Sequence, residues 1–464
     1  MSAALKLEYT YRYPFPSRLE RDGARSRLQL ATFRGGADEA ESNPFFFEGR
    51  MRTPRLTAEL MLALNQVVTS RFYLPQLALH IDPVVTSSEE VLRLEGFSSC
   101  CGVYARVDLP AAAFDGALQG RGTTNVDFNS AMRAALAQVR DGDDVQLSIG
   151  AKEFRLTREA GSVVERKVSL PVRWIKGFAE VQAYQASLQL RFEISAAEAR
   201  RFVRSLPRGA APKLPSFVTP LGAGLRLSQR EAAGSVRVTG TDRLRLLEPL
   251  LHQAEQLRVW ANDSSGTSAW EVVFEQGRFL LLISPEVWRG FSGEGQLLDR
   301  LAANDWEAAL PLVQSNLKWQ SRIDVSQMAE QLALAPREID AALAILGSRG
   351  LVGFDIATGQ YFHRELPFDM DKVESLQPRL KDARQLLAEG KARITQQSKA
   401  AAGETTAEVL VQGTDVEHRV RLLPDGDKCS CPWYSKHQLD RGPCKHILAA
   451  RLLIDDDEIE RNSE

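Results

Sequence analysis

Apolar positions along the chain follow two spacings, about 3.6 for helices and about 2 for strands, and the switches between them divide the sequence. Over 56–69 (LTAELMLALNQVVT) apolar residues recur at helical spacing, and 128–139 is similar. Segments 168–181 and 186–194 read as strands. A helix is expected to open at Ser195, where Ser195 and Glu198 have the S-x-x-E spacing that satisfies free amides at a helix start. The stretch 207–215 (PRGAAPKLP) breaks both periodicities and reads as a linker. Helix and strand signals alternate again over 236–284.

Beyond residue 300 the pattern sharpens. Trp306, Leu310, Val313 and Leu317 form one apolar stripe at i, i+4, i+7 and i+11. Asp324 is placed to cap a second helix with Met328, Ala329 and Leu332 facing inward. Pro336 suits the first turn of a third helix, where Ile339, Leu343 and Leu346 follow until Gly350 ends it. LVGFD and YFHR then flank a turn at 357–360. Three helices and a hairpin over 303–366 resemble a winged helix-turn-helix. A duplex-reading version needs basic and amide side chains on the outer face of its third helix. Here that face is expected to carry Arg337, Glu338, Asp340, Ala341, Ala344 and Ser348, and the unit holds five Lys/Arg against eight Asp/Glu. Such a surface repels a duplex, so a structural or protein-docking role is expected. A charged helix over 371–394 and a polar linker over 396–406 follow.

The densest chemistry lies at 429–446, CSCPWYSKHQLDRGPCKH, with the ligand pattern C-x-C, twelve residues, C-x-H. Segments 407–411 and 418–423 read as strands and 424–427 as a turn, so Cys429 and Cys431 leave a sheet together. Cys444 and His446 enter a helix over 447–453, whose first-turn amides favour a thiolate. Three thiolates and an imidazole suit tetrahedral zinc and leave no position for a catalytic water. His437, in the spacer, is an alternative ligand without the matching offset from a cysteine. A domain of about sixty residues buries too little apolar surface to be secure alone, and zinc contributes on the order of 10 kcal/mol to such folds. One structural Zn2+ is therefore expected. Over 428–446, Lys428, Lys436, Arg441 and Lys445 stand against Asp440 alone, beside Trp433 and Tyr434. These six cations and aromatics are the candidate contacts for a nucleic acid or a partner. The alternative is that the aromatics cover the metal while the lysines offset its thiolates.

This pattern resembles the SWIM zinc finger, whose signature is C-x-C, a variable spacer and C-x-H; the ending Cys444-Lys-His-Ile-Leu-Ala449 matches it. The resemblance covers about residues 405–454 and implies zinc at Cys429, Cys431, Cys444 and His446. It also implies binding to protein or to DNA. The whole chain resembles bacterial SWIM-containing proteins, some of which are encoded beside AAA+ ATPases of the MoxR type and von Willebrand A-domain proteins. That likeness implies such a protein as partner.

A chain of 464 residues exceeds one compact core. The expected architecture is an α+β multidomain protein. An α+β domain (1–206), a second α/β region (216–300), the winged-helix-like unit (303–366), a helix and linker (367–404) and a finger of β-hairpin plus helix (405–464) are expected in order. A net charge of −2 provides no global field for nucleic acid. The amino-terminal residues lack a basic segment followed by an apolar one, and no long apolar run suits a membrane helix, so a cytoplasmic location is expected. Five cysteines, three of them clustered, fit a reducing compartment and metal binding. Cys100 and Cys101, and the aromatic run at 45–47, read as buried. His80, His252 and His363 stand apart from other ligands and read as structural. No phosphate-loop, nucleophile-elbow or metalloprotease motif occurs, so a non-catalytic adaptor is expected, with DNA or RNA binding through the finger loop as the alternative.

Overall fold

Runs rich in Val, Leu, Ile and Phe pair into a nine-stranded antiparallel sheet. Its order is Gln189–Ser195, Gln256–Asn262, Thr267–Phe274, Gly277–Ile283, Val103–Pro110, Val91–Phe97, Val84–Ser87, Gly122–Val126 and Thr32–Phe33. The computed structural model describes residues 18–22, 25–30, 32–33, 45–72, 83–119, 121–126, 128–150, 172–209, 214–286, 290–292, 306, 308–366, 378–399, 405–414, 416–424, 426–439 and 442–463. The large sheet draws strands from both sides of the 207–215 segment. Its central strands are buried along nearly their whole length, which requires cover on both faces. Helix α1 (Pro54–Thr69) supplies part of that cover with Leu60, Met61, Leu64, Val67 and Val68.

A second sheet of five strands runs Arg18–Asp22, Arg25–Leu30, Asp144–Gly150, Phe45–Met51 and Phe114–Gln119, with one parallel pair. Phe46 and Phe47 are buried in it, as the aromatic run requires. Helix α2 is Ser130–Leu136. Helix α3 (Val172–Ala186) corrects the strand expected at 168–181; residues 168–171 lie outside the described segments. Trp174, Ile175, Phe178, Ala179 and Val181 are buried, and so are the polar Glu180, Gln182 and Gln185, so α3 lacks the division into an apolar and a polar face that would reveal the helical period. Helix α4 (Ala196–Ser205) starts as expected, the Ser195 hydroxyl accepting from the Glu198 amide. A three-stranded sheet, Gly224–Ser228, Ser216–Leu221 and Val236–Val238, packs beside it.

Helices α5 (Ala309–Ser315), α6 (Val325–Leu332) and α7 (Pro336–Ser348) follow, then a hairpin of Val352–Asp355 and Gln360–His363. Asp324 caps α6 through the Gln327 amide, Pro336 opens α7, and Gly350 and Gly359 take the left-handed conformations their turns require. One expectation fails. Ala344 and Ser348 are 4% and 3% exposed, because the second half of α7 packs against α3 instead of facing solvent. The hairpin is equally enclosed.

Arg106, fully buried on the large sheet, donates to the Phe354 carbonyl (2.6 Å) and to Asp355 (2.9 Å). Arg278 donates to Asp355 at 2.7 Å and to Asp108 at 3.0 Å. Arg93 donates to the Ser321 carbonyl at 3.3 Å and stacks over Phe362. Burial alone would raise the Asp355 carboxyl, but Arg106 and Arg278 outweigh it and hold it well below the usual carboxylate range. Arg364 pairs with Glu95, which also accepts from Tyr104. The hairpin is therefore fastened to the sheet by charge as well as by packing.

At the carboxyl end, the helix expected over 371–394 is described as α8 (Pro378–Ala388), ended by Gly390 at φ 64°; residues 371–377 lie outside the described segments. The expected polar linker over 396–406 is instead strand at 396–399 and 405–406; residues 400–404 lie outside the described segments. Ala392–Lys399 pairs with Thr405–Gln412, then come Glu417–Leu422 and Lys428–Cys429, making a four-stranded antiparallel sheet in place of the expected hairpin. Gln396, Gln397 and Ser398 hid this strand, since an edge strand with half-exposed side chains lacks an apolar alternation. Two short helices' worth of chain complete the domain: α9 (Pro432–His437) and the first turns of α10 (Lys445–Ser463).

Candidate metal centre

Each ligand is delivered by an element with its own reason to be there. Cys429 ends the last strand, opposite Val420. Cys431 caps α9, its Sγ accepting from the Tyr434 amide at 3.3 Å, with Pro432 in the first turn. Cys444 starts α10, its carbonyl accepting from the Leu448 amide at 3.0 Å. His446 lies in the first turn, its Nδ1 3.9 Å from Cys429 Sγ. All four are buried, and their ligand atoms lie within 4.8 Å of one another. Ligands about 2.0–2.3 Å from one tetrahedral centre stand about 3.3–3.8 Å apart, so small rotations close the cage.

The electrostatics ask for a cation. Hydrogen bonding from its neighbours, Cys429 first, holds Cys431 far below the ordinary thiol value, while contact with Cys431 and Cys444 pushes Cys429 well up. At Cys444 the neighbouring Cys429 favours the anion, but Cys431 and burial overcome it and push the thiol up to about 11. Three thiols this close cannot all ionise by themselves; a central dication makes three thiolates compatible. The donor set and spacing fit one structural zinc ion.

A family model described as the SWIM zinc finger matches residues 418–452. The carboxy-terminal domain is a SWIM zinc finger. No curated protein matches the chain. Among solved structures it is similar to proliferating cellular nuclear antigen from Entamoeba histolytica, at 10% identity and a TM-score of 0.35, over 52% of this chain and 99% of that one. Among the described residues, no helix is long and apolar enough to cross a membrane.

Around the SWIM metal site the candidate contacts divide. Lys428 and Lys436 are exposed. Lys445 is half-buried, 3.4 Å from Asp382 of α8. Arg441 lies outside the described residues. Tyr434 is half-buried, and its hydroxyl donates to the Asp427 carbonyl at 2.9 Å. Trp433 is half-buried under the Arg379 guanidinium, 4.7 Å from the ring. His437 stands beside Trp433 and outside the ligand cluster.

Several supporting residues lie outside the set that the sequence pattern suggests. Arg379 of α8 also donates to the Pro443 carbonyl (2.7 Å), bracing the residue before Cys444. Asp427 accepts from Arg451 of α10 at 2.7 Å and from the Leu423 amide at 3.2 Å. His418 packs its ring 4.4 Å from that of His446. Only the Asp427 turn carried a local signal; the other contacts join residues 24 to 64 positions apart and have no signature in spacing.

Proposed function

We propose that this chain is a non-catalytic adaptor whose SWIM finger docks a protein partner, and that helices α5–α7 with their hairpin form a winged helix serving as scaffold. The observation that carries this reading is the burial of the second half of α7 and of the hairpin strands, while the exposed first half of α7 sets Asp340 beside Arg337. The second half of α7 and the hairpin strands are enclosed by α3 and the large sheet, so neither enters a groove. In the finger, Trp433 and Tyr434 are engaged in covering the metal loop, which leaves a firm surface with few stacking groups. A partner in an ATPase-driven assembly, of the AAA+ or von Willebrand A-domain kind, agrees with the likeness to bacterial SWIM-containing proteins. Affinity capture from native cells with wild type beside Cys429→Ser is the test. Partners that depend on the intact finger are expected; identical partner sets with both baits would sink the adaptor reading.

Nucleic-acid binding by the finger is the second reading. Arg421 and Lys428 stand side by side on neighbouring strands, and Arg419, Arg393 and Lys436 are also exposed, with Glu408 and Glu417 as the opposing charges. A mobility shift that weakens steeply with salt, and is lost in Lys428→Gln/Lys436→Gln, would favour it.

A further inference from the structure

Away from the finger, a cleft of about 610 Å3 opens between the end of α1, α4 and the stretch 242–252. Two residues one turn apart, Arg200 and Arg204, come to one face of α4 while Ala199, Phe202 and Val203 hold its other face in the core. Arg245 joins them. Its guanidinium is fixed from behind, donating to the Leu206 carbonyl at 3.2 Å and to Glu248 at 2.8 Å. His252 completes the rim, its Nδ1 at 2.7 Å from the Pro249 carbonyl and its Nε2 at 3.6 Å from Glu59.

Among the described residues, three guanidiniums thus face two lining carboxylates, Asp242 and Glu248. Glu248 is already engaged by Arg245 and lies 3.8 Å from Arg204. Like charges one helical turn apart disfavour the fold slightly unless an anion lies between them. Among the described residues the lining offers only Leu246 and Pro249 as apolar residues and, apart from the His252 imidazole, no aromatic ring, so it gives an organic ligand little to stack on. Planar guanidinium forks match tetrahedral phosphate oxygens in pairs.

We propose that this cleft binds phosphate groups of a polyanion, carried either on a free oligophosphate or on a nucleic-acid backbone. The site is separate from the SWIM finger and does not rest on the adaptor reading. The test titrates full-length, zinc-loaded protein at low salt with inorganic tripolyphosphate and, separately, with a fluorescent single-stranded oligonucleotide. Arg200→Gln/Arg204→Gln is compared with wild type and with Lys428→Gln/Lys436→Gln. Both arginines are exposed, so the variant should fold, which circular dichroism and melting verify. Tripolyphosphate should bind wild type and the lysine variant alike, and the arginine variant at least about tenfold more weakly. Oligonucleotide binding that falls with the same arginines, and is displaced by tripolyphosphate, identifies the backbone as the source. Binding of tripolyphosphate alone identifies a free oligophosphate. No binding at low salt, or equal binding by the arginine variant, overturns the proposal.

Discussion

Cys444 has two duties, metal ligand and the residue just before α10 whose carbonyl accepts that helix's first bond, so its replacement reaches beyond the ion. Elemental analysis is expected to find one equivalent of zinc in wild type and none in Cys444→Ser or His446→Ala. Amides of 405–452 should then lose their protection from hydrogen exchange. At His363 the physics is burial instead of ligation. Its Nδ1 accepts from the Trp319 amide at 2.7 Å, and burial lowers its pKa to about 4 from an ordinary 6.5. Between those values the unfolded chain takes up a proton that the folded chain refuses. The stabilisation is therefore full above pH 6.5 and is lost as pH falls toward 4. From pH 7.5 to pH 5 the loss at this residue is about 2 kcal/mol, read as a fall in urea midpoint that His363→Gln should largely remove.

The hairpin shows how an element's role depends on what lies beneath it. Its local sequence specifies two strands and a glycine turn, which could as well be an exposed wing. Asp355 decides otherwise by accepting from Arg106 and Arg278, both anchored on the large sheet. Asp355→Ala leaves Arg106, Arg278 and Arg93, whose Nη2 lies 3.9 Å from Asp355, to share Asp108, with Glu271 beside only Arg278 of the three, so three enclosed guanidiniums lose one of their carboxylates. The expected cost is about 3–5 kcal/mol, seen as a lowered thermal midpoint for the body of the protein while its zinc content is unchanged. In α3 the opposite lesson holds. A helix that buries Glu180, Gln182 and Gln185 beside its apolar residues shows no clear 3.6-residue division, so 168–181 reads as strand. The polar strand Ala392–Lys399 escaped notice for the complementary reason, since backbone pairing with Thr405–Gln412 holds it, not a buried face.

Across the whole molecule, one continuous hydrophobic core runs from the sheets through α3 and α7 and on to Leu380 and Ala383 of α8 and Leu448, Ala449 and Leu452 of α10, and a second lies inside the finger around the metal. Removing zinc with a strong chelator should therefore eliminate a finger transition in calorimetry. The sheets and α5–α7 should remain in one later transition; separate melting of α5–α7 would contradict the shared core. What the amino-acid order determined alone was local. Four ligands sit at fixed offsets around a turn and a helix start, and Ser195, Asp324 and Pro336 mark helix beginnings, because caps and metal cages are specified by neighbours within a few residues. What only the tertiary structure decided was which surfaces stay open. The enclosure of α7, the clamp of Arg379 on Trp433 and the meeting of Arg200 and Arg204 with Arg245 depend on residues tens to hundreds of positions apart, and packing, not spacing, brings them together.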